Sequence, residues 1–332
     1  AKAKEHSLSF LYYIQTELGF NKLGLADDEY PTADKLPFIP YHRESRRING
    51  VVRFTANHIS EPYIQPEKLY RTSVAVGDYP VDHHHTRYTG WEELPDLHFH
   101  PVPSYGLPLG VMIPQGREGL IVAEKSISVS NLANGTTRLQ PVVLQIGEAA
   151  GTLAALAVKD SLDVAEVSVR DVQRSLLASG GYLMPYLDLP AAHQHFRAIQ
   201  RIGVTGIIKG KGMNKGWENQ TWFMTDSLIT AHTIAEGLSE VYPQLSAEEY
   251  GDKPVTLSQL CSMISKIQTT NSNDGATPAL IVKTLSKEWS GMGLTAFNPA
   301  RALNRLECAV VIDKILDPFS NVRIDIKGNY LK

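Results

Sequence analysis

The sequence predicts an α+β domain over residues 1–180 and a second, all-helical domain over residues 181–332. Two stretches indicate strands, since residues 69–76 alternate loosely between apolar and polar side chains and residues 120–123 form a short apolar run. Helical patterns occur at residues 7–18, 147–158 and 168–177. After a proline-containing linker at residues 182–190, the sequence changes to short helical patterns separated by loops.

The composition is ordinary for a globular protein, with 43% hydrophobic and 20% charged residues in a chain of 332. The net charge of −3 provides no broad basic field, so we expect no nucleic-acid partner. No apolar run reaches the roughly 18–20 residues that span a bilayer, so we expect no transmembrane segment. Cys261 and Cys308 lie in apolar, helix-like contexts and are interpreted as buried thiols.

The N-terminal residues contain no targeting signal, because residues 1–6 lead directly into an amphipathic pattern. The sequence begins without Met, and we expect a mature or truncated chain. The compartment does not follow from that absence. The motifs described below favour the periplasm, the cell surface or secretion over the cytoplasm.

A run of small residues at positions 147–151 is the most informative local pattern. Gly147, Ala149, Ala150 and Gly151 are predicted to lie in the first turn of a helix. Such a turn lets another backbone or an anionic ligand approach its N–H groups closely. This helix start is therefore a candidate ligand-binding element.

A charged cluster at residues 41–47 lies in proline-punctuated sequence that is typical of loops, and loops carry function disproportionately. Arg43, Arg46 and Arg47 stand beside Glu44 and could bind a carboxylate or polarise a substrate. The alternative interpretation is a solvated cluster whose charges pair with one another.

Five histidines occur within eighteen residues, at positions 83–100. Neutral imidazoles bind Zn, Cu, Fe or Ni, so a metal site is one hypothesis. In an extended chain, however, adjacent histidines point to opposite faces, and only His83 and His85 would share a face. The spacing also matches no metal-binding motif, and we predict no native metal site.

Several elements of the first half, taken in order, resemble the C-terminal flavin-contacting part of FAD-dependent oxidoreductases of the two-dinucleotide-fold type. They are the apolar run at 119–123, a Ser-x-Ser loop at 126–128, an Arg-x-x-Pro element at 138–141 and a Gly-x-Ala-Ala-Gly run at 147–151. Glu124 and Lys125 depart from the Gly-Arg pair of many members. The resemblance implies FAD as the cofactor. The cofactor-binding residues that it implies are Ser128, Arg138, Gly147, Ala149, Ala150 and Gly151.

The predicted substrate side resembles the same family. Residues 41–50 resemble its Tyr-x-Arg-Glu-Ser-Arg-Arg element, and residues 77–84 resemble Gly-x-Tyr-Pro-x-Asp-x-His. The resemblance implies transfer of hydride from a small-molecule or carbohydrate substrate to flavin N5 while a base takes the proton. We assign the base to His84, with Asp82 orienting it and Arg46 as a further catalytic candidate. Alternatively, Asp82 and His84 are structural turn residues.

A complete member of this family needs an N-terminal Gly-x-Gly-x-x-Gly motif that binds the ADP part of FAD. The sequence contains none, and the nearest string, residues 210–216, has the wrong spacing. We therefore expect an upstream FAD-binding segment of the same protein as a partner, and weak or absent FAD binding by this chain alone. The helix that opens near Gly147 is expected to direct its positive end at the flavin.

The second half contains a weak internal repeat that resembles S-layer homology repeats. The last unit keeps Arg305 and Glu307, whereas His232 replaces the usual Arg-x-Glu chemistry in the first unit. The resemblance implies a helical bundle that can bind a cell-wall polymer. The alternative is a helical accessory domain that only packs against the first domain. Trp217 and Trp222 could line a carbohydrate groove or belong to the core.

Two other function classes remain as alternatives. His84, Tyr79 and the arginine cluster could support base-catalysed elimination on an acidic polysaccharide, a lyase reaction that needs no flavin. The second domain could instead make the protein a non-catalytic module that binds a cell surface or carbohydrate. An upstream Gly-x-Gly-x-x-Gly motif would favour the oxidoreductase, and formation of unsaturated uronate would favour the lyase. The sequence does not fix the substrate.

Overall fold

The computed structural model describes residues 1–82, 102–216, 218–271 and 276–331. It separates into two compact units, Ala1–Ser45 and Arg46–Lys332. The first unit contains helix α1 (Lys2–Thr16), which confirms the predicted helix but begins and ends earlier than residues 7–18. No side chain of α1 is buried. Gly19 follows with a φ of +77°, the left-handed conformation that glycine adopts readily after a helix.

The second unit combines helices with two short antiparallel sheets among its described residues, which confirms the α+β class. Its helices are α2 (Ala56–Ser60), α3 (Asn131–Thr137), α4 (Gln140–Asp160), α5 (Val169–Ala178), α6 (Phe196–Thr205), α7 (Ala231–Val241), α8 (Leu257–Asn271), α9 (Pro278–Glu288), α10 (Arg305–Leu316) and α11 (Pro318–Asn321). Its strands are β1 (Ser73–Gly77), β2 (Tyr105–Pro108), β3 (Lys211–Lys215) and β4 (Glu218–Trp222). The helix predicted at residues 168–177 is confirmed as α5, which Gly180 follows with a φ of +88°.

Strands β1 and β2 form the first sheet, in which Ala75 pairs with Leu107 and Gly77 pairs with Tyr105. The strand predicted at residues 69–76 is only partly confirmed, because Leu69–Thr72 is a 3₁₀ turn and β1 begins after it. The other edge of β1 is covered by a side chain of α4. Gln145 accepts a hydrogen bond from the Val76 N–H (2.9 Å) and donates one to the Val76 carbonyl (3.1 Å).

The strand predicted at residues 120–123 is wrong. This segment belongs to no sheet of the described residues. The Val122 N–H donates a hydrogen bond of 2.8 Å to the Met112 carbonyl. Gly119 and Glu124 flank it with φ values of +63° and +62°. Because a left-handed residue precedes and another follows the apolar run, the extended backbone conformation of a strand cannot continue beyond either end.

Helix α4 begins seven residues earlier than predicted, at Gln140 rather than near Gly147. Leu139 is its N-cap, and Pro141 lies in its first turn, where the missing proline N–H breaks no helical bond. Residues 147–151 therefore lie in the middle of the helix, where backbone N–H groups bond to carbonyls of the preceding turn. The predicted positive helix end at Gly147 is thus corrected to Gln140.

Helix α4 is also, among the described residues, the one helix that is long and apolar enough to cross a membrane. The sequence was expected to contain no such segment, yet this helix has 21 residues, and its most apolar 18-residue window has a mean hydropathy of 1.5. One helix of this kind is weak evidence for a membrane span, since the core helix of a soluble protein passes the same test. Only 28% of the apolar window of α4 is buried, however, so much of the helix surface is uncovered.

The prediction that the second half is all-helical is wrong. The strands β3 and β4, of five residues each, form an antiparallel hairpin within it. Gly216 adopts a φ of +61° at the turn, and Gly212 gives Pro103 room to approach the strand. Thr221 and Trp222 are residue types that favour strands. The glycine-rich string at residues 210–216 is therefore part of a hairpin rather than a nucleotide-binding turn.

Three helices of the second half begin from a shared ring of backbone hydrogen bonds. Val255 donates to the Ile229 carbonyl, Leu303 donates to the Val255 carbonyl and Arg305 donates to the Ser227 carbonyl, each at 2.9 Å. The three segments lead into α7, α8 and α10. The weak internal repeat thus corresponds to three similar helix starts, while the resemblance to S-layer homology repeats stays a prediction.

The buried apolar side chains form two clusters. One consists of side chains from positions 52–176 together with Ile324, and the other consists of side chains from positions 177–319. Cys261 and Cys308 are free and buried in the second cluster, as predicted. The boundary between domains 1–180 and 181–332 stays a prediction.

Candidate functional site

Asp82 and Arg138, which were predicted separately, meet at the short helix α3. Ser130 caps this helix by accepting a hydrogen bond from the Ala133 N–H at 3.2 Å, and all side chains from Ala133 to the last residue are buried. Gly135 lets the chain at Asp82 pack directly on the helix, because a Cβ at this glycine would lie 3.0 Å from the Asp82 carbonyl oxygen. The glycine is therefore required by a close backbone approach.

Arg138 connects the end of α3 to Asp82. Its Nη2 donates a hydrogen bond of 2.8 Å to the Asp82 carbonyl oxygen and lies 3.7 Å from the Asp82 carboxylate Oδ2. The arginine side chain is 6% exposed and the aspartate side chain 16%. The structure thus brings together one predicted cofactor-binding residue and one predicted catalytic residue, in a partly dry environment where such a pair is stronger than in water.

Thr136 anchors the same segment from the next position of α3. Its hydroxyl donates a hydrogen bond of 2.5 Å to the Tyr79 carbonyl and also bonds the Tyr105 hydroxyl at 3.0 Å. Burial raises the pKa of Tyr105 well above its ordinary value, so this phenol stays neutral. The chain from Tyr79 to Asp82 is therefore fixed at several points by α3 and β2.

Asn134 is the least expected member of the site. The residue is fully buried, and neither its side-chain nitrogen nor its oxygen has a hydrogen-bond partner among the described residues. Its backbone carbonyl accepts a bond of 3.3 Å from the Arg138 N–H, so the two residues share one face of the helix. An unsatisfied buried amide lowers stability, so Asn134 is an unusual residue at this place of the helix.

Ser128 lies in the core beside this helix start. Its N–H donates to the Val111 carbonyl (2.9 Å), and its own carbonyl accepts from the Phe54 N–H (3.1 Å). Gly50 is close as well, since a Cβ there would lie 2.6 Å from the Ser128 Cβ. The Ser-x-Ser loop is therefore held by backbone pairing, and Ser128 itself is 2% exposed.

The other four predicted cofactor-binding residues lie on α4. Ala149 is on the buried face of the helix, whereas Gly147 and Gly151 are on its exposed face, with Ala150 between the two. A Cβ at either glycine would meet no atom within 4 Å. These positions are open to a further surface, but through the side of a helix rather than through its N-terminus.

For two predicted catalytic residues, the described part of the structure shows no contact with Asp82 or Arg138. Arg46 is exposed, and no described contact connects it to Asp82 or Arg138. His84 lies outside the described residues, as do His83, His85, His98, His100 and Trp217. The described residues contain no group of three or more His, Cys, Asp or Glu side chains that could hold a metal ion.

The hairpin of the second half contacts the chain on both sides of residues 83–101. Asn219 donates a hydrogen bond of 2.8 Å to the Asp78 carbonyl, and Asn214 donates one of 2.6 Å to the Val102 carbonyl. Thr221 donates a bond of 2.9 Å to the Ser104 carbonyl. Sequence reasoning missed these residues and Asn134, because no local pattern marks a hydrogen bond to a distant carbonyl.

Comparison with known proteins adds one match. The model of the family described as FAD dependent oxidoreductase matches residues 1–176. No curated protein and no solved structure matches the chain. The matched range includes α3, α4, Asp82 and Arg138.

Proposed function

The chain belongs to the FAD-dependent oxidoreductase family, and we propose that its first half forms the substrate side and one flavin-contacting part of such an enzyme. FAD is the cofactor of the family. When bound, the flavin accepts a hydride at N5. The substrate that we propose is a small molecule, with a carbohydrate-related molecule as the first class to test.

The observation that carries this proposal is the buried contact between Arg138 and Asp82. It joins a residue of the Arg-x-x-Pro element to a residue of the Gly-x-Tyr-Pro-x-Asp-x-His element, and both lie in the range that the family model matches. Charged groups that the protein holds in a fixed position are typical of sites that stabilise developing charge.

Arg138, Asp82 and His84 have separate tasks in the proposal. Arg138 holds the backbone and the carboxylate of Asp82, and its positive charge would favour the reduced form of a flavin bound nearby. Asp82 orients His84, which takes the substrate proton while the hydride leaves. Arg46 is proposed to contact the polar groups of the substrate. Each role depends on the match of sequence motifs as well as on the Arg138–Asp82 contact.

We further propose that an upstream segment of the same protein completes the FAD site and covers α4. Leu144 and Val158 are 75% and 82% exposed on this helix, and the space above Gly147 and Gly151 is open. An exposed apolar helix surface of this kind favours coverage by another protein surface. The absence of a Gly-x-Gly-x-x-Gly string from the sequence supports the same view.

For the second half we propose S-layer-homology-like repeats at the cell envelope, with binding of a cell-wall polymer as one role and packing against the flavin domain as the other. The ring of three helix starts supports a repeated helical unit. Bonds from Asn214, Asn219 and Thr221 to the first half favour the packing role.

Titration of FAD fluorescence with the purified 332-residue chain tests the flavin site. We expect weak binding by the chain alone and tight binding when the upstream segment is supplied. Arg138→Met should weaken the second case, because it removes the buried charge. A purified chain that retains stoichiometric FAD would contradict the need for an upstream segment. Failure to bind FAD in both cases would contradict the proposed function.

A further inference from the structure

A cavity of about 360 Å³ lies between the chain at residues 58–64 and 103–106 and the chain at residues 184–185 and 210–212. Its volume is within the usual range of small-molecule pockets. Three tyrosines, Tyr63, Tyr70 and Tyr105, form much of its lining, together with three prolines and Met184. The cavity is distinct from the Arg138–Asp82 contact, although Tyr105 touches both regions.

The polar groups of this lining are mostly engaged with other protein atoms. The Tyr63 hydroxyl accepts a hydrogen bond of 3.1 Å from the Gly210 N–H, and Thr221 donates to the Ser104 carbonyl. Burial raises the pKa of Tyr63 to about 12, so that its phenol is neutral. The Tyr70 hydroxyl is buried and has no hydrogen-bond partner among the described residues. The wall thus offers mostly apolar surface and neutral rings.

The charges near the cavity do not favour an ion. Glu61 and Lys211 are exposed lining residues of opposite sign, so their fields largely cancel. His58 is part of the lining, and its Nδ1 accepts a hydrogen bond of 3.2 Å from the Thr55 N–H. An accepting Nδ1 carries no proton, so the ring is neutral and its single proton is on Nε2. An uncharged ligand is therefore favoured.

The arrangement of the rings favours an aromatic ligand over an aliphatic one. Tyr63 and Tyr70 are already packed edge to face, with centroids 4.9 Å apart and an interplanar angle of 77°. Met184 adds a thioether, which makes favourable contacts with aromatic rings. Ile64 is 72% exposed in the lining and would be covered by a bound ring.

We propose that this cavity binds a small, uncharged aromatic molecule of one or two rings, held by the tyrosines, Met184 and Ile64. The proposal does not depend on the flavin, since all of the residues involved are present in this chain. A bound ring would contact Tyr105, whose hydroxyl bonds Thr136 and thereby reaches the Tyr79 carbonyl.

The test is a calorimetric titration of the full 332-residue chain with p-cresol, 4-methylcyclohexanol and methyl glucoside. We expect saturable binding of p-cresol, with a Kd on the order of 1 mM for so small a ligand. The saturated ring should bind about fivefold more weakly, since it lacks the aromatic contacts. The sugar should not bind at the same concentrations.

Two variants on α2 locate the site. Ser60→Phe fills the cavity from a lining position and should weaken p-cresol binding about tenfold or more, because the ring occupies ligand volume. Asn57→Phe places the same side chain at an exposed position of α2 outside the lining and should leave binding unchanged. If Ser60→Phe does not fold, Ile64→Ala replaces it and should weaken binding by removing the covering surface.

Each of the following results would overturn the proposal: no saturable p-cresol binding by the folded chain, equal binding of 4-methylcyclohexanol, tighter binding of the sugar, or p-cresol affinity unchanged in the lining variant.

Discussion

The side-chain amide of Asn219 donates a hydrogen bond of 2.8 Å to the backbone carbonyl of Asp78, across 141 positions of sequence. The bond ties the hairpin of the second half to the segment that leads into Asp82. Asn219 also accepts a bond of 3.2 Å from Asn214, so that its amide is oriented from both sides. The bond thus joins the second half of the chain to the segment that leads into Asp82, one of the predicted catalytic residues.

Asn219→Asp should lower the free energy of unfolding by about 1–3 kcal/mol, because an acceptor replaces the donor that faces the Asp78 carbonyl. The bond from Asn214 is retained in this variant. Urea unfolding of the 332-residue chain measures the effect. Asn57→Asp, at an exposed position, is the matched control and should change stability little. Equal effects of the two substitutions would show that the bond to Asp78 contributes nothing.

Alanine substitutions at two helical glycines should have opposite effects. Gly135→Ala places a Cβ 3.0 Å from the Asp82 carbonyl oxygen and should destabilise the chain by about 1–3 kcal/mol. Gly147→Ala lies in open space within α4 and should stabilise it by about 0.5–1 kcal/mol. Thermal unfolding of both variants checks the pair. A stabilising Gly135→Ala would mean that Asp82 does not pack on α3 as described.

The stability of the chain should depend on His58 at mildly acid pH. Burial lowers the pKa of His58 below its ordinary value of 6.5, against a smaller opposing effect of Glu67. As pH falls below 6.5, the unfolded chain binds a proton that the folded chain does not, so the free energy of unfolding falls. The free energy of unfolding stops falling once the pH is below the folded-state pKa of His58, because both states are then protonated.

His58→Gln isolates this effect, because glutamine at the third helical position keeps the capping box with Thr55 but does not titrate. The difference in unfolding free energy between wild type and His58→Gln should shift in favour of the variant between pH 7 and pH 5, a range of roughly two units around the ordinary histidine pKa. A difference that stays constant with pH would contradict a lowered pKa.

Local sequence signals predicted helix α5 correctly. Ser168 was interpreted as its cap and the glycines at positions 180 and 181 as its end, and the helix runs from Val169 to Ala178. The start of α4 was misplaced because Pro141 was assigned to a loop motif, although proline is favoured in a first helical turn. The hairpin was missed because Gly210 and its neighbours were tested only as a nucleotide-binding motif.

The candidate site was predictable only in part. The motif resemblance identified Asp82 and Arg138 separately, but their contact joins positions 56 apart and depends on how α3 packs. Asn134 gave no signal, since a polar residue between Ala133 and Gly135 is typical of a loop. Its burial without a hydrogen-bond partner among the described residues is visible only in three dimensions.

The central claim is that the buried Arg138–Asp82 contact supports a bound flavin, and Arg138→Met tests it most directly. The measurement is the FAD affinity of the complete flavoenzyme, taken together with the unfolding free energy of the FAD-free chain. We predict about a tenfold or greater loss of FAD affinity in a variant that still folds, since the buried positive charge is removed. Unchanged FAD affinity of the folded variant would contradict the claim.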